Sequence, residues 1–530
     1  VFDAGQTIFL TQKKERHMQL TTLTKNAGKT VCFAIMAGFF FMLAGSGTGL
    51  AALDITDTNI EIAIDDALMQ DQAVPSYLVD VACANGVVTL SGSVDNILAK
   101  DRALAIAETV KGVRSVINRI EVNPMTEKSD PDIRTDVIQS LAADPVTELF
   151  DIDVRVDDKA VTLKGMVNSH IEKQAAGKVA KSVSGVKEVN NLILYDHKTS
   201  RSDTDFANDI EKALAWDTLV DDGLIQVSVN KRNVKLTGTV GSAAEKTRAI
   251  THAWLPGIKE VDADLLKVDR WARDKDMRAE KYLLKPDDKI KEAVDTAMSK
   301  DPRVLSTKVD SQVDNGVVTL SGKVNVLSAK QAAAQDARNT VGVIRVKNRI
   351  KVTPPVQADT RDELEQKILN KFERDVYMDN LDIAVTAPSG IVNIYGTVDS
   401  FYEKARAEDL AAEVRGVYAV NNHLIVNKSW DPFVNKPYVD DSYIYDYDWY
   451  TYQPNVTSRK NDQEIADNIE SELFWSPFVD SDQVTVTVDD GTATLTGTVD
   501  SWSEYDAASQ NALEGGAVVV DNELRISSIQ

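Results

Sequence analysis

The feature that most constrains this chain is a strand signature that returns six times along it. A segment of the form Leu-x-Gly-x-Val sets glycine at Gly92, Gly165, Gly238, Gly322, Gly396 and Gly497, each followed two residues later by valine (Val94, Val167, Val240, Val324, Val398, Val499). Leucine or isoleucine stands two residues before each (Leu90, Leu163, Leu236, Leu320, Ile394, Leu495). A second glycine follows 19 or 20 residues on, at Gly112, Gly185, Gly257, Gly342, Gly416 and Gly516. Recurrence at fixed spacing is the mark of one supersecondary unit used repeatedly.

Each unit reads in the same order. It opens with an amphipathic helix; Ile465, Ile469 and Leu473 of the sixth unit fall on one face. Two strands follow around a tight turn, for which Asn85-Gly86, Asn315-Gly316 and Asp490-Gly491 are hairpin signals because those residues tolerate positive φ. Ser169-x-x-Glu172, Ser242-x-x-Glu245, Ser400-x-x-Glu403 and Ser501-x-x-Glu504 predict capping boxes at the start of a second helix. Asn96 and Val326 occupy that position in the first and fourth units. The second glycine is expected to end this helix as its C-cap. A last strand follows, with Val116, Asn118, Ile120 and Val122 sharing a face in the first unit. The expected fold class is α+β: tandem α-β-β-α-β modules, each a three-stranded mixed sheet with two helices on one face. The expected units are 56–123, 130–196, 203–270, 286–353, 360–427 and 461–528, with a charged connector at 271–285 and a Tyr/Trp-rich one at 428–460.

This pattern resembles the BON domain. The resemblance rests on Trp216-Asp217, on Val234-x-Leu236-x-Gly238-x-Val240, and on Gly416-Val417 leading to Val420-Asn421-Asn422. It also rests on a column of Asn118, Asn191, Asn348, Asn422 and Asn522, from which the third unit departs with Ala263. What the resemblance implies is a periplasmic, non-enzymatic protein of osmotic or envelope stress, with related modules tied to phospholipid binding or chaperone-like activity.

The N-terminal stretch agrees with export. From Met18 onward, Lys25 and Lys29 precede an apolar run from Val31 to Leu43, and Gly49-Leu50-Ala51 suits cleavage, so residues 1–51 read as an upstream extension plus a secretory signal peptide. The alternative is an uncleaved inner-membrane anchor. Net charge is −23 over 530 residues, which disfavours nucleic acid as a partner. The two cysteines, Cys32 and Cys83, demand no disulfide.

Candidate chemistry is sparse. His17, His170, His197, His252 and His423 share no repeat position and no metal-ligand spacing, so neither a metal site nor a catalytic site is expected. No cofactor and no small-molecule substrate is expected either. The repeat glycines answer to backbone geometry, and Cys83 shares an inward strand position with Val156, Val229 and Val313.

Two features rise above this background. Residues 286–353 hold 12 basic against 8 acidic residues, whereas 461–528 hold 1 against 15. Arg345, Lys347, Arg349 and Lys351 alternate with apolar residues, which sets four cations on one strand face ~6.6 Å apart, a row suited to anionic lipid headgroups. Tyr443, Tyr445, Tyr447, Trp449 and Tyr450 form a candidate aromatic contact. The expected partners are anionic phospholipid or envelope proteins, and the alternative function is a periplasmic chaperone or scaffold.

Overall fold

The computed structural model describes residues 55–71, 73–195, 200–273, 281–282, 284–304, 308–353, 359–379, 381–426 and 461–526. The signal-peptide and Tyr/Trp segments, Cys32, His17 and His197 lie outside them, as does most of the 271–285 connector. Among the described residues no helix is long and apolar enough to cross a membrane.

In the first module the opening helix Asp57–Gln70 leads into an antiparallel hairpin of Val79–Ala84 and Val87–Val94. The second helix, Ile97–Glu108, crosses back, and the closing strand Ser115–Asn118 pairs parallel with Val87–Val94. The hairpin's second strand is thus the centre of a mixed sheet, an arrangement the other five modules share. Alternate residues of that strand, Val88, Leu90 and Val94, are buried and pack with Ile60, Ile64 and Leu68 of the opening helix and Ala103 of the second.

The asparagine column breaks the closing strand. Asn118 Nδ2 donates to the Lys100 carbonyl at 2.9 Å, and its Oδ1 accepts from the Ile120 N–H at 3.1 Å. That local bond takes the backbone out of the ladder until Glu121–Val122 rejoins it. Asn191, Asn348, Asn422 and Asn522 repeat the device. With Ala263 in its place, the third module's closing strand runs unbroken from Glu260 to Val268, absorbing the mismatch as a register shift opposite Lys235 to Thr237.

The hairpin turns are held by an aspartate 28 and 29 residues upstream. Asp57 accepts from the backbone N–H of Asn85 at 2.7 Å and of Gly86 at 2.9 Å, and these bonds hold its carboxyl below the usual range. Asp130, Asp203, Asp287 and Asp462 make the same clasp. In the second and third modules Lys159 and Arg232 hold positive φ, a left-handed state that costs a side-chain-bearing residue roughly 1–2 kcal/mol, and the clasp offsets part of it. The fifth module has Arg361 in that position and turns through Pro388, Ser389 and Gly390 instead.

Two local expectations need correction. All four serines accept from the N3 backbone N–H, yet only Ser400 forms the reciprocal box. Glu172, Glu245 and Glu504 reach one residue further back, to the N–H of Asn168, Gly241 and Asp500, because that N–H leaves the sheet unpaired. The second glycine is not the C-cap; Thr109 caps the first module's second helix, and Gly112, at φ 96°, starts the return to the sheet. The strand glycine is obligatory for a different reason: a Cβ on Gly238, at φ 116°, would lie 1.9 Å from the Leu224 carbonyl oxygen.

The modules pack by their helical sides, the second helices of the first and third touching, as do those of the fourth and fifth. Their backbone pairings nest. Asp217 of the third module bridges Thr340 of the fourth, with Thr218 N–H donating to the Asn339 carbonyl at 3.0 Å and Val341 N–H to that of Trp216 at 2.9 Å. Asp375 of the fifth bridges Val183 of the second in the same way. The sixth meets the first through one bond, from Lys111 N–H to the Trp475 carbonyl at 3.1 Å.

Candidate binding surface

With its helical side packed inward, each module turns the other face of its sheet outward. In the fourth module that face carries Arg345, Lys347, Arg349 and Lys351, all exposed and flanked by the half-buried Val346 and buried Ile350. Strand register adds cations that the sequence pattern missed. Lys308 opposes Lys323, and Lys323 opposes Lys351, so three ammonium groups stand abreast on adjacent strands. Neighbouring strands are ~4.8 Å apart, and like charges directly opposed on one face destabilise a sheet. None of these six cations has a carboxylate within ion-pair reach among the described residues. Asp310 and Asp314 share the face, Asp310 opposite Ser321 and Asp314 opposite Val317, nearer the Arg345–Arg349 end. Positive charge is therefore densest at the Lys308–Lys323–Lys351 end.

No other module matches this. The sixth shows Val519, Asp521, Glu523 and Arg525 along its closing strand, and the second shows Glu188, Asn190, Leu192 and Leu194. On the second module Met166 opposes Leu194, and both are more than half exposed, giving a small apolar face.

The remaining candidates are structural. His170 stacks on Trp254 of the third module at 3.7 Å between ring centroids, and burial pushes it down to about 4. His423 stacks on Tyr395. His252 Nε2 meets Asp217, which also takes Arg248 Nε at 2.7 Å. Burial opposes the charged form of Asp217, but Arg248 and His252 hold its carboxyl well below the usual range. Among the described residues no three histidines, cysteines or acids group as a metal site would require. Cys83 is half-buried, not fully buried as its column of valines suggested, and donates to Asp57 at 3.4 Å. Burial and that carboxylate push its thiol up to about 12, so it is not a poised nucleophile.

Reading the units as equal copies also hides an alternation. Asp71, Asp217 and Asp375 end the opening helices of the odd modules and bind an arginine 31 residues on, Arg102, Arg248 and Arg406, in buried pairs of 2.6–2.7 Å. In the even modules the matching residues are Asp144, Asp301 and Ser476, each followed by proline, and the arginine is replaced by Ala175, Ala332 and Ala507. The signal, aspartate with arginine against Asp-Pro or Ser-Pro with alanine, stands in the sequence with a period of two modules.

Together the repeated sheet, its clasps and its packed helical faces define a multi-module α+β protein. The chain belongs to the BON-domain family, whose model matches residues 56–124, 129–196, 202–270, 286–354, 360–428 and 461–528. It is 30% identical over 211 residues to osmotically-inducible protein Y of Escherichia coli, covering 38% of this chain and 96% of that protein. It is also 30% identical over 146 residues to the outer membrane lipoprotein DolP of Haemophilus influenzae, covering 27% of this chain and 75% of that one. Among solved structures, the type III secretion protein CdsD of Chlamydia trachomatis matches at 14% identity and a TM-score of 0.12, over 42% of this chain and 94% of that one. As a BON-domain protein related to these, the chain is non-catalytic.

Proposed function

We propose that this protein acts in the periplasm in envelope maintenance or osmotic stress, and that the basic sheet face of its fourth module docks on anionic phospholipid. The observation that carries this is the set of six exposed cations, Lys308, Lys323, Arg345, Lys347, Arg349 and Lys351, in positions that repel one another unless an anion stands over them. The relatives' names, one osmotically inducible and one an outer membrane lipoprotein, support an envelope setting. At roughly 1 kcal/mol per cation near an anionic surface, the face supplies several kcal/mol, reduced by Asp310 and Asp314. With a net charge of −23 on the whole chain, the remaining surface is repelled, so binding is weak, oriented and salt-sensitive.

Liposome flotation with anionic and neutral vesicles over a salt series tests this. Capture by anionic vesicles alone, lost in salt and lost when Arg345, Lys347, Arg349 and Lys351 become Glu, is the expected outcome. Equal capture of the charge-reversed protein would overturn it. The apolar patch of Met166, Leu192 and Leu194 supports a second reading, a chaperone or scaffold for client proteins. That reading predicts suppression of client aggregation that falls when these three residues are made polar.

A further inference from the structure

The six cations on the outer sheet face of the fourth module are unevenly placed. Strand register divides that face into four rows, each running across Lys308–Asp314, Val317–Val324 and the closing strand. The end row is Lys308, Lys323 and Lys351, all positive. In the next row Asp310 offsets Arg349; the offset that pairs Val317 with Arg345 also pairs Lys323 with Lys351, so Arg349 lies level with Ser321. The third row has Lys347 alone, beside the uncharged Thr319 and Gln312. In the last row Asp314 offsets Arg345 across Val317. Row by row the charge is therefore +3, 0, +1 and 0.

The end row is unlike its counterparts. In the other five modules it holds one cation at most, Lys267 in the third and Arg525 in the sixth. All three lysines are exposed, and none has a carboxylate within ion-pair reach among the described residues. Adjacent strands are ~4.8 Å apart, so the three start within ~10 Å of one another. Each carries a point charge with three rotatable donors on a flexible stem, which lets the three heads converge on one small group of atoms. Their repulsion is relieved best by the anion that puts the most charge and the most acceptors in the least space. A phosphodiester offers one charge and two free oxygens. A phosphate monoester offers nearly two charges at neutral pH and three free oxygens, one for each ammonium.

We propose that the Lys308–Lys323–Lys351 row is the headgroup-selecting part of this face, and that it takes a lipid ending in a phosphate monoester in preference to one carrying a phosphodiester. This rests on the docking of the same face on anionic phospholipid, and adds which headgroup that docking favours. A membrane source follows from the surface itself. The row lies on an open sheet face in water, so a single free phosphate gains little there. A phosphate held in a membrane is reinforced by the anionic surface that Arg345, Lys347 and Arg349 meet at the same time.

The test is flotation of the full chain with phosphatidylcholine vesicles carrying either phosphatidate or phosphatidylmethanol, adjusted to equal surface charge. Phosphatidylmethanol is the same lipid with the third phosphate oxygen blocked by a methyl group. Capture by phosphatidate should be about fivefold tighter or more, from the second charge meeting the row at near-water screening. Lys308→Gln with Lys323→Gln should abolish that preference and leave weaker, equal capture by both lipids; the change removes a repulsion, so the fold is kept. Arg345→Gln with Lys347→Gln should weaken both captures and keep the preference. Equal capture of the two lipids by the wild-type chain overturns the monoester assignment while leaving the docking reading in place. So does a preference that survives in the Lys308→Gln, Lys323→Gln protein. Capture of neither lipid overturns the docking reading itself, and the assignment with it.

Discussion

Glu108 gives the most exacting test of how the modules hold together. It ends the second helix of the first module and faces the second helix of the third, where Thr247 donates its hydroxyl to Glu108 Oε2 at 3.1 Å. Burial pushes this carboxyl up to about 7, and the single Thr247 bond recovers only part of the lost hydration. In the unfolded chain the same group titrates near 4.5. Below that pH both states are protonated and Glu108 is neutral towards folding. As pH rises from 4.5 to 7 the unfolded state gives up its proton first, so the folded state loses stability across that window and stays penalised above it. A shift of this size corresponds to about 3 kcal/mol as an upper bound, and partial solvent access lowers that to about 1–3 kcal/mol. Glu108→Gln keeps the hydrogen-bond acceptor for Thr247 and removes the ionisation. Urea denaturation of wild type and Glu108→Gln at pH 5 and pH 8 should show the variant more stable at pH 8 by that amount, with the gap mostly closed at pH 5. A gap that is the same at both pH values, or a variant less stable at pH 8, would refute the reasoning.

Removing one partner of a buried ion pair leaves the other charge stranded, so Arg248→Met should lower stability by about 3–5 kcal/mol in denaturant titrations. The same change at Lys235, whose pair with Asp262 is exposed and 3.9 Å long, should cost less than about 1 kcal/mol. Gly238→Ala forces a Cβ into the Leu224 carbonyl at positive φ, and circular dichroism melts should show loss of the third module's transition or a large fall in its midpoint. In a Cys32→Ser chain, Cys83 should resist thiol-reactive dye in the folded protein at pH 8, where a thiol titrating at about 12 is almost wholly protonated, and should react at once in urea; rapid labelling of that native variant would refute its placement beside Asp57.

Much of each module was legible because its signals are local. The Leu-x-Gly-x-Val strand announces itself, since only glycine fits under the carbonyl of the neighbouring strand. Serine before four of the six second helices is a cap whichever group the glutamate finally reaches. The Asp57 clasp was not legible, because its partners lie 28 and 29 residues away and only the closed hairpin brings them together. The basic surface was half legible for a related reason. Alternation along one strand reveals Arg345 to Lys351, but Lys308 and Lys323 join them only through strand register, which no single segment encodes.

How the modules choose partners turns on where a backbone N–H is missing. The bridges of the third with the fourth and of the fifth with the second each need two donors, one just past an opening helix and one just before the second glycine. Thr218 and Val376 supply the first, and Val341 and Ser184 the second. Proline has no N–H to give. Pro145, Pro302 and Pro477 stand at the first position in the even modules, and Pro256 stands at the second in the third module. An even module's opening helix can therefore accept but not donate, which limits it to a one-bond pairing. The sixth module's meeting with the first is that case: Trp475 accepts from Lys111, and Pro477 returns nothing. Each such bond contributes only about 1 kcal/mol, and the contact makes up the difference with side chains, Trp475 packing on the first module's core and the Lys111 ammonium lying 4.7 Å from the centre of the Phe474 ring. The same substitution pattern that removes the arginine from the even modules thus also removes the donor just past their opening helices, so both two-bond bridges start from the opening helix of an odd module.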